Sequence, residues 1–119
     1  MSTETETSTH VPDLVIRALA GQWHPSSRLR RHIAPDVAML LGVPLHVAHA
    51  AMMGFNSAEK RKEGRRLELQ ASSERNPVAR SILLRDAAEC VRVSGVMVQQ
   101  CMDILGRGAQ AKNGAEERA

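Results

Sequence analysis

Aromatic side chains are almost missing from this chain of 119 residues: Trp23 and Phe55 are the only large rings, and there is no tyrosine. Proteins that grip single-stranded nucleic acid stack bases on aromatic rings, so that class is disfavoured from the outset. No long hydrophobic run is present either. The longest stretch without a charge or a strongly polar residue, Val37 to Phe55, contains Gly42, Pro44, His46 and His49, and it is neither long nor apolar enough to cross a bilayer. The first ten residues, MSTETETSTH, are acidic and rich in Ser and Thr with no apolar segment behind them, the reverse of a secretory signal. A cytoplasmic protein with no membrane contact is expected. Cysteine is scarce: Cys90 and Cys101 lie eleven residues apart, about 16 Å along a helix axis, beyond disulfide reach. Two small buried thiols are the expected reading.

What the chain does have is Ala, Leu, Val, Met, Arg and Glu, a mixture that favours helices over sheets. Its length suits one modest core. Residues 1–10 read as a disordered tail, 11–106 as a single helical domain and 107–119 as a second disordered tail, since the two ends hold too few apolar groups to offset the entropy of ordering. Pro12 followed by DLVIRALA suits a first helix with Asp13 near its positive end and Gly21 as its stop. Ser26 and Ser27 open a short RLRRHI piece. PDVAMLL from Pro35 runs to Gly42, and LHVAHAAMM follows Pro44 up to Gly54.

From Asn56 the chain turns polar. NSAEKRKEGRRLELQASSE carries only Ala58, Leu67, Leu69 and Ala71 as an apolar stripe, which predicts a solvated or ligand-binding helix outside the core. Gly64 in its middle marks a possible bend. Pro77 then begins the most periodic stretch, in which Leu83, Ala87, Cys90, Ser94, Met97, Cys101 and Ile104 recur at alternating spacings of four and three. Leu84, Ala88, Val91, Gly95, Val98, Met102 and Leu105 run beside them. Two adjacent heptad stripes make a broad buried face that needs a covering helix, either from the N-terminal half of the chain or from a second copy. A symmetric dimer is the commonest solution, with Leu83, Leu84, Ala87, Val91, Met97, Val98, Cys101, Met102 and Leu105 as the interface.

No signature of a catalytic serine elbow, phosphate loop, dinucleotide site or zinc cluster occurs, and neither an enzyme nor a cofactor or metal is expected. His46 and His49, three apart, are read as one packed and one surface histidine. The stronger signal is charge. Between Arg28 and Arg66 stand eight cations, Arg28, Arg30, Arg31, Lys60, Arg61, Lys62, Arg65 and Arg66, against three anions. Such density suits phosphate, because binding releases condensed counterions. The segment PDVAMLLGVPLHVAHAAMMG also resembles the two central helices of a helix-turn-helix, with Ala38 on the first helix and Leu41-Gly42-Val43 at the turn. It departs from the usual pattern in placing Val47 five residues after the glycine and Ala48 at the sixth. The resemblance implies that the second helix enters the major groove.

These readings together predict an all-α fold: short N-terminal helices in a helix-turn-helix-like corner, a polar basic helix, and a long amphipathic C-terminal helix in a dimeric bundle. The expected function is a non-catalytic DNA-binding accessory or regulatory protein that contacts duplex phosphates. The alternative is an adaptor or inhibitor that docks on a larger protein through its apolar C-terminal helix.

Overall fold

A computed structural model describes residues 11–25 and 34–118, with the side chains of 34, 35 and 109–118 left aside. The described residues form four helices and no strand: α1 (Asp13–Leu19), α2 (Ala34–Leu41), α3 (Leu45–Ser73) and α4 (Pro77–Arg118). No helix among them is long and apolar enough to cross a membrane. The predicted tail 1–10 and the RLRRHI piece lie outside the described residues.

Each helix boundary has a local cause. Pro12 precedes α1 in an extended conformation, Asp13 and Arg17 pair at 3.0 Å across one turn, and Gly21 closes the helix at φ 78°. That left-handed value costs glycine nothing and would strain any other residue. Gly42, at φ 69°, ends α2 in the same way, and the amide of Val43 reaches back to the carbonyl of Ala38 at 3.1 Å. Pro44 then starts α3. Between the long helices, Asn76 accepts hydrogen bonds from the amides of Val78 and Ala79 at 2.9 and 3.1 Å, capping α4 just ahead of Pro77.

Helices α3 and α4 are antiparallel and pack along most of the length of α3, making a hairpin about which the rest is arranged. Their seam is built from small residues at heptad spacing. On α3 these are Ala50, Ser57, Gly64 and Ala71; on α4 they are Ala87, Ser94 and Cys101. All seven are buried. The rungs meet in register. Cys101 Sγ donates to the Ala50 carbonyl at 3.3 Å, and Ser94 Oγ donates to the Ser57 carbonyl at 2.9 Å. Ser57 Oγ lies 3.2 Å from the Ser94 carbonyl and 3.0 Å from Ser94 Oγ. At the third rung, a Cβ placed on Gly64 would lie 3.3 Å from both the Ala87 carbonyl oxygen and Cys90 Cβ. Side chains that bond directly to the opposite backbone require a close approach of the two axes, which small residues permit.

The short helices close the base of this hairpin. Val15 and Ala18 of α1 join Val47, Ala50, Ala51, Cys101 and Leu105 in one buried cluster. Val37 and Ala38 of α2 form a second with Ala48. The molecule is elongated and flattened, with principal extents of 65, 39 and 20 Å.

Three boundaries differ from the sequence reading. Gly54 does not end a helix: it lies inside α3, where a Cβ would come within 3.2 Å of Leu19 Cγ and 3.4 Å of Ala18 Cβ, so its missing side chain admits α1. The basic segment from Asn56 is therefore no separate helix but the outer half of α3. It is also not spared from the core, because Ser57, Gly64 and Ala71 carry the seam. Finally, α4 continues to Arg118 rather than ending at Gly106, since Ala, Gln, Lys, Glu and Arg dominate that stretch and outweigh the weak helix preference of its glycines.

Two glycines give opposite predictions. Gly64→Leu forces a large side chain into the tightest rung and should lower the unfolding free energy by about 1–3 kcal/mol or more. Gly95, whose Cβ position meets nothing within 4 Å, should tolerate Ala with a gain of about 1 kcal/mol from helix propensity. Urea unfolding followed by circular dichroism measures both, and a Gly64→Leu protein of unchanged midpoint would refute the close seam.

Candidate interaction surfaces

The basic cluster separates once it is placed on α3. Arg61 points inward, its guanidinium donating to the Leu19 carbonyl at the end of α1, and its Nε is buried with no partner among the described residues. Lys60 and Arg66 share Glu63, at 3.5 and 3.9 Å. Exposed pairs of this kind contribute little. Lys62 and Arg65 are exposed. Stepping 100° per residue, Lys62 and Arg66 lie within about 40° of each other on the side opposite the seam residue Gly64, and Arg65 stands to one side, about 100° from Gly64. Arg28, Arg30 and Arg31 lie outside the described residues.

The apolar candidates on α4 divide in the same manner. Ala87, Cys101 and Leu105 are buried within the chain, and Leu83, Met97, Val98 and Met102 are half-buried. Leu84 and Val91 stay 48% and 54% exposed. The first heptad stripe is thus the hairpin seam itself, and α3 of the same chain supplies the covering helix. The second stripe is covered only at its base.

The cause is the length of α1. On α3 this helix and the turn after it meet Gly54, Ala58 and Arg61, and Val15 and Ala18 share one buried cluster with Val47, Cys101 and Leu105. The same face continues past Arg61 along both long helices, with no further helix on it among the described residues. There its floor is Leu84, Ala88, Val91 and Gly95, all exposed. Arg65, Glu68 and Ser72 border it on α3, and Arg80 borders it near the tip, where Glu68, Ala71, Ser72, Arg80 and Leu84 line one cleft. On the far edge stand Arg85 and Arg92. Arg92 forms a two-pronged pair with Glu89, at 3.0 and 2.5 Å, which holds the Glu89 carboxyl below the usual carboxylate range and raises Arg92. Arg80 donates two hydrogen bonds to the Glu74 carbonyl, at 3.0 and 2.7 Å.

At the opposite end, His46 is half-buried against Gly108 and His49 is exposed. They line a cleft with Leu45, Ile104 and Arg107. Among the described residues no group of three or more His, Cys, Asp or Glu converges as metal ligands do. The α2–α3 corner exposes Met39, Leu40 and Leu45. Lys62 lies seventeen residues along α3 from Leu45, about 25 Å at 1.5 Å per residue, so the corner and the basic arc are separate surfaces.

Sequence reasoning missed the α3 half of the seam and the arginine border of the open groove. A repeat of Ala, Ser, Gly and Ala every seven residues was the available signal for the first. No family model, curated protein or solved structure matches this chain.

Cys101 offers a test of the seam through pH. Burial pushes its thiol above the ordinary value, so the unfolded chain releases that proton first. Its contribution to stability is complete below about pH 9, the ordinary cysteine range, and is lost as pH rises through the folded value. With no tyrosine to titrate nearby, thermal unfolding between about pH 8 and 10.5 should show a decline that is smaller in Cys101→Ala. An identical decline in both proteins would place Cys101 in water.

Proposed function

We propose that the protein is a non-catalytic helical docking module, an adaptor or inhibitor whose hairpin engages another protein along the open stretch of α4. The observation that supports this reading is the half-exposed pair Leu84 and Val91, set beside the open backbone at Gly95 on a face whose other end is already filled by a helix. Completing the burial of two half-exposed aliphatic side chains is favourable by about 1.5–3 kcal/mol, before any contribution from neighbours, and is little affected by salt.

Contact with duplex DNA through α3 is the second reading, favoured by the exposed cations Lys62, Arg65 and Arg66. Magnitudes rank it below the first. Three neutralised phosphates give a log–log salt slope of about −2.7, so affinity falls about fortyfold between 50 and 200 mM salt. The helix-turn-helix-like corner adds little to it, since the first turns of α3 present Leu45 and His49 rather than the Arg, Asn and Gln that read base edges. Dimerisation enters this scheme as one way of covering Leu84 and Val91.

A photo-crosslinking amino acid at position 91 in the full chain, expressed in its source cells, tests the first reading. The expected product is a protein adduct heavier than two copies, absent when the crosslinker sits at Glu59. An adduct of two copies supports the symmetric dimer instead, and no adduct at either position removes the docking role.

For the second reading, fluorescence anisotropy with a short DNA duplex should give a salt slope of magnitude about 2–3 that approaches zero in Lys62→Ala/Arg65→Ala/Arg66→Ala. Absence of binding at 50 mM salt would dispose of it.

A further inference from the structure

We draw no further inference here: the strongest candidate, the exposed flank of α4 along Leu84, Ala88, Val91 and Gly95, carries none, because nothing in the structure shows what covers it and the arginines beside it, Arg85 and Arg92, already pair with Asp86 and Glu89.

Discussion

Everything in this molecule depends on how closely α3 approaches α4. The seam is filled by Ala50, Ser57, Gly64 and Ala71 on one side and Ala87, Ser94 and Cys101 on the other, none larger than a thiol or a hydroxymethyl group. Such residues contribute modest apolar area individually. They compensate by letting the backbones come near enough for side chains to bond directly to the opposing carbonyls, as at Ser94–Ser57 and Cys101–Ala50. The two serines, fully buried or nearly so, would be costly without each other. Paired, they penalise any slip of register, because a shift leaves both hydroxyls unsatisfied in the core.

A narrow seam has a consequence for the flanks. In a helix pair whose seam is filled by leucine, the large aliphatic residues are consumed between the axes. Here they stand beside the seam, and other elements must cover them. At the base α1 and α2 do so, with Trp23, Leu14 and Leu19 adding partly buried surface. Toward the tip, Leu84 and Val91 remain open, as do Leu69, Val78, Ile82 and Val96 on outward faces. The hairpin keeps its register through the small residues, so the flank is available to a partner without disturbing the fold.

The helical class, the two-stripe pattern of α4 and the stops at Gly21, Gly42 and Asn76-Pro77 were legible because each rests on local chemistry: periodicity, left-handed glycine, capping. The α3 half of the seam was not. Hydropathy weighs Ser57, Gly64 and Ala71 as polar or neutral, so a segment crowded with Lys60, Arg61, Lys62, Arg65 and Arg66 reads as entirely solvated. Gly54 and Gly64 look like breaks for the same reason; what they signal is the close approach of α1 and α4, which for Gly64 is written only in its seven-residue spacing from Ser57 and Ala71. Of the site candidates, Leu84 and Val91 lie on the open flank, whereas Ala87, Cys101 and Leu105 had an intramolecular partner. One sequence could not separate these, because the two stripes are equally apolar until the covering helix is located.

Arg61 shows how the basic segment and the apolar groove are joined. It belongs by sequence to the cationic cluster, yet its guanidinium ends at the carbonyl of Leu19, at the point where α1 stops covering the groove. A cation at a helix C-terminus meets the negative end of the helix dipole, so Arg61 both closes α1 and marks the start of the uncovered stretch. The next turn of α3 carries Arg65, which is exposed, so the cationic segment passes from an inward-turned arginine to a solvent-facing one within one turn.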